Sequence, residues 1–287
     1  VRIVVVGALG AVGGAVCLAL TELSHEVIRV SSRAPIDTDP EVLSIAESLA
    51  LIHDNSVHLV VHAGGPGDHR SDRTSWETTT SILATALHTC AVPGVLLSTT
   101  RVLEGWETGF TEDSAPKPLT FYAENNARNE QLWLERGGST ASVLRLANFF
   151  SMPKSLDSPQ AALLPWSLVT EALATGSIGI RSGALLTKEF VNGNDIARAA
   201  LALAATEDRP SIVATLPGLK ISLADFAGAV QRAFVNAGRA RPAVTFGPEA
   251  TAGPPSSPGW LASVGWNSEL SLAIIEQAVT EWVGPAA

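Results

Sequence analysis

The chain has 287 residues, about twice the ~150 that one domain commonly takes, and 46% of them are hydrophobic, enough for a substantial core. The 16% of charged residues and a mean hydropathy of +0.23 argue against disorder. A net charge of −9 and a pI near 5.1 argue against nucleic acid and anionic membrane as main partners, since both require clustered Lys and Arg.

In chain order, residues 2–6 (RIVVV) read as a strand, followed by a glycine-rich turn and a helix over 15–23. A second strand is expected at 26–30, a helix over 41–54 and a buried strand at 57–62. A helix over 73–91, a strand at 94–98, a helix over 120–136 and a strand at 142–146 complete the first half. Apolar strands alternating with helices imply an α/β fold with a doubly wound parallel sheet, a Rossmann-like domain over 1–150. After residue 150 the rhythm loosens, with helices expected near 161–175, 194–206, 222–237 and 268–282. Residues 151–287 are read as a partly discontinuous α/β substrate cap, with some segments returning to the first domain.

Cys17 and Cys90 are the only cysteines and show no CxxC spacing, which reads as reduced thiols inside a cell. No apolar run reaches the ~18 residues of a membrane span, and the opening run reads as a strand, not a signal peptide. A cytoplasmic location is expected. His62 and His69 have no second ligand at metal spacing, so no metal is expected.

Gly7-Ala-Leu-Gly10-Ala-Val-Gly13 stands directly between the first strand and the first helix. Gly7 permits the tight turn, Gly10 lets backbone approach a pyrophosphate, and Gly13 lets helix pack on strand. The helix start then offers free N–H groups to an anion. Dinucleotide binding is the reading.

The GxxGxxG spacing resembles the extended short-chain dehydrogenase/reductase family, also described as NAD-dependent epimerases and dehydratases. Further resemblances are VVHAGG at 60–65, LLSTTRVLEG at 96–105, PLTFYAENNARNEQ at 118–131, LRLANFF at 144–150 and KEFVNGNDIARA at 188–199. Within the family, the chain looks nearest to dTDP-4-dehydrorhamnose reductase-like nucleotide-sugar ketoreductases. The resemblance implies that His62, Ala63 and Gly64 border the cofactor, and that Tyr122, the only tyrosine, is the general acid/base. It makes Thr99 the hydroxyl on the substrate carbonyl, with Thr100, Arg101 and Asn148 near the substrate. Where the family has lysine, four residues after the tyrosine, this chain has Asn126, which can hydrogen-bond a ribose but brings no charge.

At the end of the second strand stand Ser31, Ser32 and Arg33, with no acid for a ribose diol, so NADP(H) is expected over NAD(H). Arg145 is read as structural. The expected function is a cytoplasmic, homodimeric ketoreductase acting on a small molecule, a nucleotide-activated deoxysugar or related natural-product intermediate. A redox-neutral isomerase, lyase or cyclase on the same fold, or a non-catalytic dinucleotide-binding module, remain open beside it.

Overall fold

The computed structural model describes residues 1–31, 41–65, 73–106, 110–151, 163–206, 211–249 and 259–285. The chain divides into two compact units. The first comprises residues 1–147, 193–216 and 254–266, and the second residues 148–192, 217–253 and 267–287.

In chain order, the first unit runs β1 (Arg2–Val6), α1 (Ala11–Glu22), β2 (Glu26–Val30), β3 (Val42–Leu43), α2 (Ile45–His53), β4 (Leu59–His62), α3 (Arg73–Cys90) and β5 (Gly94–Thr99). A 3-10 turn (Thr100–Leu103), α4 (Phe121–Gly137) and β6 (Ala141–Leu146) follow. The second unit's β7 (Asn148–Phe149), α5 (Leu164–Thr175), β8 (Ser177–Ile180) and β9 (Thr187–Val191) come next. Then α6 (Gly193–Ala204) and β10 (Val213–Thr215) return to the first unit, and β11 (Leu219–Ser222), α7 (Leu223–Asn236) and β12 (Ala243–Phe246) to the second. The short α8 (Trp260–Ser263) belongs to the first and α9 (Leu272–Val283) to the second.

The first unit is built on a seven-stranded sheet in the order β10-β6-β5-β4-β1-β2-β3, every pair parallel. The expectation of a doubly wound Rossmann-like α/β domain therefore holds. Parallel strands need crossovers, and their apolar side chains are covered on both faces. Val4, Val6, Val60, Leu83, Leu87, Leu96 and Trp133 form one core cluster. Strand order reverses between β1 and β4, and at such a switch point the carboxyl ends of the strands open a crevice for a ligand.

Two helices begin elsewhere than the sequence suggests. α1 starts at Ala11 and contains Gly13 and Gly14, although glycine is a poor helix former. Tertiary packing overrides that preference. A Cβ on Gly13 would run into the Gly7 carbonyl, so only glycine lets the helix sit this close to the turn. Gly7 has φ +84°, and a Cβ there would stand 2.7 Å from the Gly64 nitrogen. In the 41–54 region, Val42 and Leu43 pair with β2, and α2 begins only after Ser44. Ser44 and Glu47 close a capping box, the Glu47 N–H donating to Ser44 Oγ (3.3 Å) and the Ser44 N–H to Glu47 Oε2 (2.7 Å).

The second unit has a three-stranded sheet, β11-β9-β7, and a parallel pair, β12-β8. Its core gathers Trp166, Phe190, Phe226, Ile275 and Val279, with Phe190 stacked on Phe226 and Phe150 on Trp166, each at 5.5 Å. Among the described residues, no helix is long and apolar enough to cross a membrane. Both cysteines are free, and burial pushes the Cys17 thiol up to about 11.

Gly13→Ala is expected to lower stability by about 1–3 kcal/mol through overpacking of α1 on the turn. Gly10→Ala, whose Cβ would meet nothing closer than the Gly7 oxygen at 3.2 Å, should change stability far less. Urea midpoints of the two variants check the difference.

Candidate active site

The turn after β1 is held from both sides. The N–H groups of Gly7 and Ala8 donate to the Val30 carbonyl of β2 (2.9 and 3.1 Å), and Ala63 N–H donates to the Val6 carbonyl (2.8 Å). Gly10 is the N-cap of α1 and offers no side-chain cap, and no acid stands in the first turn. The first N–H groups of α1 are thus left to an outside acceptor, which suits a pyrophosphate. Gly7 and Gly13 face protein, whereas Gly10 leaves the approach open, as a dinucleotide requires.

Ala63 and Gly64 follow β4 beside Gly7, and His62, the last residue of the strand, shapes that end from inside. It is 1% exposed, and its Nε2 lies 2.9 Å from Thr80 Oγ1 on α3. Its Nδ1 accepts the Gly64 N–H (3.3 Å), which assigns the ring proton to Nε2 as a donor to Thr80. Burial lowers its pKa from the usual 6.5 to about 4, so the imidazole is neutral. The His62 side chain is therefore engaged entirely within the protein.

Thr99 ends β5, and its Oγ1 accepts the Arg101 N–H at 3.3 Å. Thr100 and Arg101 follow in the 3-10 turn, and Arg101 Nε reaches Glu104 Oε2 at 3.0 Å. The second Glu104 oxygen accepts from Thr120 Oγ1 (3.2 Å), and Thr120 caps α4 by accepting the Ala123 N–H (3.3 Å). Tyr122 is the second residue of that helix. Burial raises the Tyr122 pKa above the usual phenol value. A side-chain hydrogen bond with Thr99, the Arg101 charge and a hydrogen bond from Asn126 pull it partly back. Thr99, Arg101, Tyr122 and Asn126 are thus brought together, and the phenol stays protonated at neutral pH. Asn126 is 8% exposed and donates one of its two Nδ2 hydrogens to the Tyr122 carbonyl (2.8 Å).

Asn148 lies in the second unit, where its Nδ2 donates to the Glu189 carbonyl of β9 (2.9 Å). Ser31 is buried at the end of β2. Ser32 and Arg33 lie outside the described residues. No group of three or more His, Cys, Asp or Glu that could hold a metal occurs among the described residues.

Beneath the Thr99–Tyr122 pair lies a set of residues that the motifs do not single out. Glu130 and Arg145, each 3% exposed, form an ion pair on two edges, with Arg145 Nη2 to Glu130 Oε2 at 2.7 Å and Nε to Oε1 at 3.0 Å. Ser98 Oγ donates to the same carboxylate, and Arg145 Nη1 donates to the Glu112 carbonyl (3.0 Å). The Glu112 carboxylate accepts the N–H groups of Thr215 and Trp260. The signal was present: positions 122, 126 and 130 share one face of α4, and a glutamate on a buried face needs a cation, here the arginine inside the apolar strand LRL.

Residues 3–214 match the family described as the NAD dependent epimerase/dehydratase family. The chain belongs to that family. Among solved structures it is similar to the UDP-N-acetylglucosamine 4-epimerase from Bacillus cereus, at 18% identity over 99% of each chain with a TM-score of 0.77. It is also similar to DesIV, a dTDP-glucose 4,6-dehydratase from Streptomyces venezuelae with NAD and TYD bound, at 19% identity over 98% of this chain and 96% of that one (TM-score 0.72). MoeE5 in complex with UDP-glucose and NAD is 20% identical over 99% and 98% (TM-score 0.71). At such identities the likeness is one of fold. No curated protein matches the chain in sequence.

The expected preference for NADP(H) is corrected by these findings: the family is described as NAD dependent, and MoeE5 and DesIV hold NAD. Lack of an acid at the end of β2 does not make a phosphate site. A serine hydroxyl accepts and donates, so it can serve a ribose diol, and among the described residues the strand ends on neutral Ser31.

Two outcomes follow from this geometry. Glu130→Gln should cost about 3–5 kcal/mol because it leaves a buried arginine charge uncompensated, while Glu130→Gln combined with Arg145→Met should cost less than the sum of the single changes. A double-mutant cycle in urea measures this. For His62, the unfolded chain takes up a proton near pH 6.5 and the folded one only near pH 4. Stability is therefore complete above pH 6.5 and falls by about 3 kcal/mol as pH drops from 6.5 to 4. His62→Gln should flatten that part of the urea midpoint–pH curve.

Proposed function

We propose that this protein reduces a ketone on a nucleotide-activated deoxysugar or a related natural-product intermediate, using NAD(H). The observation that carries the reading is Tyr122: a phenol beside the Thr99 hydroxyl, kept protonated by burial, with no lysine on its helix. Taking a hydride from an alcohol requires a base for the hydroxyl proton, whereas giving one to a ketone requires an acid. A neutral phenol is the acid. The family and the nucleotide sugars bound in structures of the same fold support the substrate class.

The Gly7–Gly13 turn would hold the pyrophosphate on the start of α1, with Ala63 and Gly64 beside it, Ser31 toward the adenosine ribose and Asn126 toward the nicotinamide ribose. His62 acts behind them by fixing the Gly64 backbone. A reduced nicotinamide bound there supplies the hydride. Thr99 hydrogen-bonds the carbonyl oxygen, Tyr122 gives it a proton, and Thr100 and Arg101 border the substrate. This is the chemistry of the dTDP-4-dehydrorhamnose reductase-like enzymes that the motifs resemble. A homodimer through α3 and α4 belongs to the same reading, supported by the exposed Ile82 and Phe121 on those helices. The two free thiols support a cytoplasmic location.

A second reading is redox-neutral chemistry, epimerisation or dehydration, favoured by the named activities of the similar structures. The assay that separates the two supplies a nucleotide-linked 4-keto-6-deoxyhexose with NADH, and a nucleotide-linked hexose with NAD. Net loss of NADH absorbance with the ketone, reduced at least ~100-fold by Tyr122→Phe, is the expected result. Product formed from the hexose with no net change in NADH would establish the second reading instead.

A further inference from the structure

We propose that Thr80 is a positioning residue of the dinucleotide site: its hydroxyl holds the His62 imidazole in the one tautomer that can anchor the Gly64 peptide behind the glycine turn. The inference rests on that turn receiving a dinucleotide, as read above.

The contacts run from α3 to the turn in three steps. Thr80 is fully buried, and its Oγ1 lies 2.9 Å from His62 Nε2. On the other side of the ring, His62 Nδ1 accepts the Gly64 N–H at 3.3 Å. The Gly64 peptide in turn lies against the turn after β1, since a Cβ on Gly7 would stand 2.7 Å from the Gly64 nitrogen and 2.8 Å from the Ala63 carbonyl carbon. The ring is also packed directly against Gly64, where a Cβ would stand 3.0 Å from His62 Cε1. Thr80, with no exposed surface, touches no ligand itself and acts only through these neighbours.

The tautomer matters because the ring is neutral, its pKa held at about 4 by burial. A neutral imidazole has one N–H and one bare nitrogen. A backbone N–H can only donate, so the Gly64 bond demands a bare Nδ1 and puts the proton on Nε2. With His62 1% exposed, that proton needs an acceptor inside the protein, and Thr80 Oγ1 is in place to accept it. The neighbouring Trp133 ring, 5.6 Å away between centroids, donates its N–H to the Ser142 carbonyl and has no acceptor to offer.

Without the hydroxyl, the Nε2 proton would be left buried and unpaired, a costly state. Moving the proton to Nδ1 relieves it, but an Nδ1–H faces the Gly64 N–H and breaks that bond. The Gly64 peptide then loses its anchor, and ordering it becomes part of the cost of binding a cofactor.

The full-length chain is titrated with NADH by cofactor fluorescence, with circular dichroism reporting the fold. Thr80→Val keeps the shape of the side chain and removes the hydroxyl, whereas Thr80→Ser keeps the hydroxyl and removes a methyl group. Thr80→Val should raise the Kd for NADH about 3- to 10-fold, the worth of one hydrogen bond, and Thr80→Ser should stay within about twofold of the unsubstituted chain. A residue that only packs would give the reverse order, since serine is the one that leaves a cavity. In protein labelled with 15N-histidine, bare and protonated ring nitrogens resonate far apart, and His62, one of six histidines, is identified by the signals lost in His62→Gln. The unsubstituted protein should show a protonated Nε2 and a bare Nδ1 at neutral pH, an outcome that needs no Thr80 variant.

A His62 ring protonated at Nδ1 in the unsubstituted protein overturns the role of Thr80. So does a folded Thr80→Val that binds NADH as the unsubstituted chain does, or a Thr80→Ser weakened as much as Thr80→Val. Failure of the unsubstituted protein to bind NADH, with the expected His62 tautomer in place, overturns the reading of the glycine turn itself and the proposal with it.

Discussion

The end of the sheet that carries Thr99 depends on the buried pair of Arg145 and Glu130. Each side chain is 3% exposed, so neither charge is solvated and each must be satisfied by protein. The pair meets that condition by drawing in Ser98 and the Glu112 carbonyl, and these partners come from different parts of the chain. Ser98 precedes Thr99 on β5, Glu130 lies two turns after Tyr122 on α4, and Arg145 stands on β6. Breaking the network would leave an ion stranded, and keeping it fixes how far α4 can slide along β5. The closeness of the Thr99 and Tyr122 side chains follows from that restraint and from the capped start of α4.

A second restraint acts at the other side of the crevice through packing. β1, the glycine turn and α1 come together so closely that a Cβ at Gly7 or Gly13 has no room. The same compactness aims the uncapped start of α1 at the switch point between β1 and β4. His62 completes this wall by staying neutral, since its ring bridges α3 and the Gly64 backbone. Burial keeps a charged imidazole from forming there.

Between these walls, the proton chemistry is governed by charge. Burial favours the neutral phenol, while the Thr99 and Asn126 side chains and Arg101 favour its anion. The balance leaves a protonated Tyr122 at neutral pH, which is the starting state for delivering a proton and a poor one for removing it.

The fold class was legible in the sequence because parallel strands buried on both faces read as unbroken apolar runs, as RIVVV, VHLVVH and GVLLS do. The glycine turn was legible because its spacing sits between strand and helix. Residues whose importance comes from distant partners were not legible. Arg145 was read as structural, but its partners Glu130, Ser98 and Glu112 are ordinary letters until the sheet brings them together, and the start of α1 was hidden because packing overrides the helix propensity of Gly13. The cofactor expectation failed for a related reason: the absence of an acid after β2 is a local fact, whereas the choice of ligand is made by groups arranged around it in space. Sequence alone determined the order of strands and helices and the glycine turn between the first pair, since both are local patterns. Tertiary structure alone decided which buried charges neutralise one another, since electrostatic partnership depends on distance in the fold.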